Sequence, residues 1–133
     1  MRIMLDTNVI LSALLFPSKR MNKLLLEIST NHTLVLSSFV IDELLGVVSR
    51  KFPQKVNVVD GLLAKMSFEM VYTPKQMEDT LFDIRDSKDY PVLYSAIVED
   101  VDILITGDKD FADIDIEKPK ILTPSVFIEQ YGI

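Results

Sequence analysis

Short unbroken runs of apolar residues, each leading into a polar turn, constrain this chain more than any other feature. Ile3-Met4-Leu5 and Ile103-Leu104-Ile105 show no alternation of apolar and polar side chains. Strands of that kind are covered on both faces, as in a parallel sheet between helices. Arg2 to Leu5 reads as the first strand, and Val9, Ile10, Ala13, Leu14 and Leu15 recur after it at helical spacing. Residues 20 to 30 continue helically, and Thr33 to Leu36 is a second β-prone run closed by Ser37-Ser38. From Phe39 the apolar residues Val40, Ile41, Leu44, Leu45, Val47 and Val48 predict another helix. A further helix is expected from Pro53 to Ser67, with proline in its first turn, and a strand from Glu69 to Tyr72. Residues 74 to 89 are polar and acidic, and a helix from Pro91 stops near Glu99-Asp100. After Ile103-Leu104-Ile105 come a helical turn around Asp110 to Ala112, a strand from Pro119 to Leu122 and a C-terminal helix from Pro124. The expected fold is α/β, a mostly parallel sheet with helices on both faces.

The 133 residues suit a single domain spanning 1–133, with 48% hydrophobic and 26% charged residues. With no cysteine, disulfides, thiolate zinc sites and cysteine nucleophiles are excluded, and a cytoplasmic location is expected. The opening apolar run is cut short by Asp6, so neither a signal peptide nor a membrane span is expected there. The net charge of −6 argues against a polyanionic partner, but it is unevenly spread. Residues 1 to 55 hold seven Lys and Arg against four acids, and residues 56 to 133 hold a net −9. Such asymmetry permits a basic rim beside an acidic pocket.

Ligands of open parallel sheets bind at the carboxyl ends of the strands. Asp6 follows Ile3-Met4-Leu5 directly, and Asp108 follows Ile103-Leu104-Ile105 through Thr106-Gly107, which places both carboxylates on one rim. Taken singly, an Asp after a strand is more often a helix cap, and the shared rim is what favours a site. Glu43, early in the helix after the second strand, and Asp89, at the start of the helix near Tyr90, complete the group, although acids near helix N-termini are also favoured by the dipole. Glu43 lies between Ile41 and Leu44, at the edge of the apolar stripe. Four converging carboxylates repel unless a cation neutralises them, and an all-oxygen donor set favours Mg²⁺ or Mn²⁺. Such a site polarises a phosphoryl oxygen and activates water, so phosphodiester hydrolysis is the expected chemistry.

Four segments carry a family resemblance: Met4-Leu5-Asp6-Thr7-Asn8-Val9, Ser37-Ser38-Phe39-Val40-Ile41-Asp42-Glu43, Asp89-Tyr90-Pro91-Val92-Leu93-Tyr94-Ser95-Ala96 and Leu104-Ile105-Thr106-Gly107-Asp108-Lys109-Asp110-Phe111. In this order they resemble the acidic motifs of PIN-domain proteins, similar to the toxin ribonucleases of type II toxin–antitoxin pairs. The resemblance implies a three-layer α/β/α sandwich and metal-dependent cleavage of RNA. It makes Asp6, Glu43, Asp89 and Asp108 the metal-binding and catalytic acids, with Thr7, Asn8 and Thr106 in support. Asp86, one turn before Asp89, can share or take its role; Asp110 can be an outer ligand beside Asp108 or cap the turn that follows. The resemblance also implies a cognate antitoxin and a homodimer.

Two other readings compete. A haloacid-dehalogenase-type phosphatase also places an Asp after its first strand, but it needs a second Asp where this chain has Asn8, and a later acid where it has Ala112. A PIN-like domain that binds RNA or protein without cleaving it is the other alternative. Paired-histidine ribonuclease chemistry is excluded, since His32 is the only histidine. Lys19, Arg20, Lys23, Arg50 and Lys51 are the expected contacts to the RNA backbone, or else charges on solvated helix faces.

Overall fold

The computed structural model describes residues 1–84, 86–111 and 113–132. In β1 (Arg2–Leu5) and β4 (Ile103–Ile105) the side chains of Ile3, Met4, Leu5, Ile103, Leu104 and Ile105 are all buried. Successive strand residues point to opposite faces, so this burial requires cover on both sides of the sheet. β2 (Thr33–Ser37) is likewise buried after its first residue, whereas β3 (Glu69–Val71) and β5 (Lys120–Leu122) are the more exposed edges. The sheet order is β3-β2-β1-β4-β5 and every pairing is parallel. The architecture is the expected three-layer α/β/α sandwich.

The helices are α1 (Thr7–Leu15), α2 (Lys19–Asn31), α3 (Ser38–Lys51), α4 (Val56–Lys65), α5 (Tyr90–Val98) and α6 (Pro124–Gln130). α1, α3 and α4 pack on one another, α5 meets α3, and α2 packs against α6. Ser18, Ser37 and Thr123 cap α2, α3 and α6, each accepting from the third amide of its helix. The helix expected from Pro53 begins instead as a 3₁₀ turn, Pro53–Lys55, and α4 ends at Lys65. Its N-cap, Lys55, has no side-chain cap bond to extend the α-helix backward. The turn expected around Asp110 to Ala112 is a 3₁₀ turn at Lys109–Phe111, and Ala112 lies outside the described residues. Among the described residues no helix is long and apolar enough to cross a membrane.

The order in which strands are added reverses at β1 and β4, since β2 and β3 extend the sheet one way from β1, and β4 and β5 extend it the other. That switch point leaves a crevice at the carboxyl ends of the two strands. Ile3, Met4 and Leu5 pair with Ile103, Leu104 and Ile105, so both strands end level, and Asp6 N donates to Ile105 O at 3.0 Å.

The long segment from β3 to α5 is pinned at its start against α3 and α5. Thr73 N donates to Ser38 Oγ (2.9 Å), Phe39 N donates to Thr73 Oγ1 (3.3 Å), and the Ser95 hydroxyl of α5 lies 2.8 Å from Thr73 Oγ1. Further along, Phe82 stacks on Tyr90 with ring centroids 4.3 Å apart, and Glu78 N donates to the Tyr94 hydroxyl (3.2 Å). These contacts fix the start of α5, and with it the 3₁₀ turn Ser87–Asp89.

Candidate functional site

Asp6 is the N-cap residue of α1, yet it caps unlike Ser18, Ser37 or Thr123. Its Oδ1 accepts only from the adjacent Thr7 N (2.7 Å), while Oδ2 accepts from Thr106 Oγ1 (2.7 Å) across the crevice. The residue is 4% exposed. Burial raises its pKa, the bonds from Thr106 and Thr7 oppose the rise, and the charges of Glu43 and Asp108 add to it. A cap needs none of this long-range support.

Thr106, 2% exposed, is the joint of the rim: besides donating to Asp6 it accepts from Asp108 N at 3.1 Å. Asp108 Oδ1 in turn accepts from Asp110 N (2.9 Å), an Asx-type turn that orients its carboxylate. From the next strand, α3 brings in Glu43, whose Oε1 is hydrogen-bonded by the Thr7 hydroxyl. Glu43 is half-buried, between the buried Val40 and Leu44 of the same helix.

Asp89 sits at the N-cap position of α5 but makes no capping hydrogen bond. Its Oδ2 is buried and has no hydrogen-bond partner among the described residues. The pKa of Asp89 is pushed up to about 7. Burial comes first, then Asp108, through a hydrogen bond and its charge, then the charges of Asp6 and Asp86. An orphaned carboxylate oxygen facing other carboxylates is costly unless something else supplies the missing charge.

The candidate acids therefore meet in two linked sets. Asp6, Asp108 and Asp89 influence one another electrically, with Glu43 tied to Asp6 through Thr7. Asp86, Asp89 and Asp110 each present a carboxylate oxygen, all within 4.8 Å of one another. Asp89 belongs to both sets, so Asp86, expected to share or take its role, and Asp110, expected as an outer ligand or a cap, both lie beside it. Donors of this kind fit a hard divalent cation: oxygen only, several of them carboxylates, one of them orphaned.

Asn8 is exposed on α1 and lines a depression of about 220 Å³ together with Ser12, Met21, Gly107, Asp108 and Pro124. A larger cleft of about 560 Å³ runs from Thr106, Gly107 and Asp108 along β5. The two hollows share Gly107 and Asp108. Of the expected basic residues, Lys19, Arg20 and Lys23 lie in the first turns of α2, and Arg50 and Lys51 end α3, roughly 10 Å beyond Glu43 along the helix axis. All five are exposed. His32 ends α2 and packs edge-on against Phe127 and Tyr131, away from the acids.

Sequence reasoning missed the residues that hold the site from behind, namely Thr73, Ser38 and Ser95, and also Ser125, whose hydroxyl binds the Arg20 guanidinium. Ser38 and Ser95 fall within the motif segments, but nothing local marks their roles, and Thr73 and Ser125 carry no local signal at all. Each acts through a contact between segments distant in the chain.

Comparison with known proteins places this geometry in a family. Among solved structures the chain is similar to VapBC2 from Rickettsia felis bound to a DNA fragment from its promoter, with 22% identity and a TM-score of 0.69 over 92% of this chain and 97% of the other. It is also similar to VapC20 of Mycobacterium tuberculosis, described as a Sarcin-Ricin loop cleaving toxin, with 13% identity and a TM-score of 0.54 over 83% and 92% of the two chains. At these identities the likeness is one of fold. No curated protein matches the sequence. A family model described as PIN domain matches residues 2–110, which include Asp6, Glu43, Asp89 and Asp108, and the chain belongs to the PIN domain family.

Proposed function

We propose that this protein is a metal-dependent endoribonuclease that hydrolyses RNA phosphodiester bonds at the carboxylate cluster. The observation that carries the reading is Asp89, an acid at a helix N-cap that caps nothing and keeps a buried, unpartnered oxygen beside Asp108. A purely structural acid would have found a partner. Asp6, Glu43, Asp89 and Asp108 are the proposed ligands and catalytic acids, with Asp86 and Asp110 adjoining through Asp89. The proposed ion is Mg²⁺ or Mn²⁺. When bound, it offsets the carboxylate charge and polarises a phosphoryl oxygen.

The remaining work falls to the chain itself. Thr106 and Thr7 N hold the Asp6 carboxylate in one orientation, and the Thr7 hydroxyl holds Glu43, so neither acid reorganises when substrate arrives. Asp89, raised to about 7 by burial and its acidic neighbours, is the acid whose ionised form a bound cation would favour most. Asn8 offers an amide at the wall of the smaller depression, suited to orient a phosphate or water.

Family membership and the fold shared with VapBC2 and VapC20 support a place in a toxin–antitoxin pair, acting in the cytoplasm as a homodimer restrained by a cognate antitoxin. The test is cleavage of single-stranded RNA by the purified chain with Mn²⁺ or Mg²⁺, with and without chelator, beside Asp6→Asn. Cleavage that needs the metal and Asp6 is expected. Cleavage that survives chelation or the substitution would overturn the mechanism, and binding without cleavage would favour a non-catalytic PIN-like domain.

A further inference from the structure

An acidic centre that acts on a polyanion needs cations placed to receive it. Five basic residues were candidates from sequence, and the fold treats them differently. Arg50 and Lys51 ride at the end of α3 away from the rim, and Lys23 faces Leu26, Glu27, Thr30 and Asn31 on the outer side of α2. Arg20 reaches another element: its guanidinium donates to the Ser125 hydroxyl in the first turn of α6. Its sequence neighbour Met21 and the Ser125 neighbour Pro124 line the small depression, together with Asn8, Ser12, Gly107 and Asp108. The bond between Arg20 and Ser125 therefore joins the two helices, α2 and α6, that each give one wall residue, Met21 and Pro124, to a hollow that reaches the candidate catalytic acid Asp108.

We infer that this depression between α1, α2 and α6 seats the RNA nucleotide adjoining the scissile phosphate, and that Arg20, held by Ser125, grips its phosphate. The inference rests on the ribonuclease reading and assigns it a substrate subsite. The hollow, about 220 Å³, suits one ribose-phosphate unit, not a duplex groove. Its walls supply what such a unit requires: an amide from Asn8, a hydroxyl from Ser12, and the apolar side of Met21 for the sugar or base. A guanidinium tethered by Ser125 keeps further N–H donors for phosphate oxygens, in a fixed fork that lysine cannot reproduce. Ser125 is then a positioning residue, which restricts the Arg20 side chain before RNA arrives.

The test uses fluorescent single-stranded RNA and anisotropy over a salt series, in an Asp6→Asn background so that the strand survives, together with cleavage kinetics in the otherwise unsubstituted chain. Arg20→Ala is expected to raise Kd and KM roughly tenfold with little change in kcat, and to reduce the salt slope by about 0.7, the value for one phosphate contact to a single strand. Arg20→Lys should keep the slope and recover only part of the affinity. Ser125→Ala should weaken binding several-fold with the slope unchanged, since the charge remains. Lys65→Ala is the control: this exposed lysine ends α4 just before β3, at the opposite end of the sheet. Loss in Arg20→Ala no greater than in Lys65→Ala would overturn the subsite while leaving the nuclease intact. An unsubstituted chain that neither binds nor cleaves RNA would overturn the ribonuclease reading itself, and the subsite with it.

Discussion

Replacing Thr106 by valine removes one hydroxyl and little else. Valine keeps the volume and branching, and the backbone bond from Thr106 N to Leu122 O (2.9 Å) is untouched. What disappears is a buried hydrogen bond to a carboxylate, Thr106 Oγ1 to Asp6 Oδ2 at 2.7 Å, and the acceptor for Asp108 N at 3.1 Å. A hydrogen bond to a charged group contributes about 1.5–3 kcal/mol, and a half-buried amide left unpaired costs about 1 kcal/mol more. The cost has a ceiling, because Asp6, whose pKa is already raised, can take up a proton instead of remaining an unsupported anion. Thr106→Val should therefore lose about 2–4 kcal/mol in urea unfolding with chelator present, or roughly 7–14 °C in Tm for a chain of this size. Thr106→Ser keeps the hydroxyl and gives up one buried methyl, about 1 kcal/mol. The expected order of stability is unsubstituted, then Ser, then Val. If packing alone mattered at this position the order of the two variants would reverse, and that result would refute the role given to the Thr106 hydroxyl.

Other consequences follow from the same geometry. In chelator, Tm should be higher at pH 5.5 than at pH 7.5: the folded Asp89 holds its proton up to about 7, whereas an unfolded Asp releases it near 3.9, so stability falls as pH rises through that window. Asp6, also raised, acts in the same direction, and Asp102, lowered mainly by the Arg2 amide bond, loses its contribution only below the window. Asp89→Asn should flatten most of this slope, and a Tm that increases with pH would contradict the assignment. Thr73→Ala, which leaves Phe39 N without its partner and the Ser95 hydroxyl with only its bond to Pro91 O, should cost about 1–2 kcal/mol and weaken Mn²⁺ binding in titration calorimetry, while Thr73→Ser restores both contacts. Unchanged Mn²⁺ affinity would mean that this joint does not position Asp89. Gly107 is exposed on the wall that the two hollows share, and a Cβ there meets nothing within 4 Å, so Gly107→Ala should leave stability within about 0.5 kcal/mol of the parent, while a strand that crosses from one hollow to the other would meet the added methyl and be cleaved less well. Equal kcat/KM would show that the strand takes another path.

How far the sequence carried depends on where each constraint resides. Strands β1 and β4 were legible because burial on both faces writes itself into three consecutive residues, Ile3-Met4-Leu5 and Ile103-Leu104-Ile105, with Asp6 and Thr106 next in line. The caps Ser37 and Thr123 are local as well. The start of α4 was less legible, because Pro53 suits the first turn of an α-helix and of a 3₁₀ turn equally. The division of labour among the acids was beyond local reading. Whether Asp89 caps α5 or faces Asp108 depends on how Phe82, Tyr90 and Tyr94 clamp the segment from β3 to α5, and whether Arg20 faces water or α6 depends on Ser125, 105 residues away. Such contacts leave no periodicity in the chain.

The central claim is that these carboxylates were brought together to hold a divalent ion. Crystals grown with Mn²⁺ and measured at a wavelength where manganese scatters anomalously test it most directly. An anomalous peak is expected within coordination distance of Asp89 and at least one of Asp6, Asp108, Asp86 and Asp110, and it should be lost in Asp89→Asn. Manganese bound elsewhere, or a peak that persists in the variant, would contradict the claim.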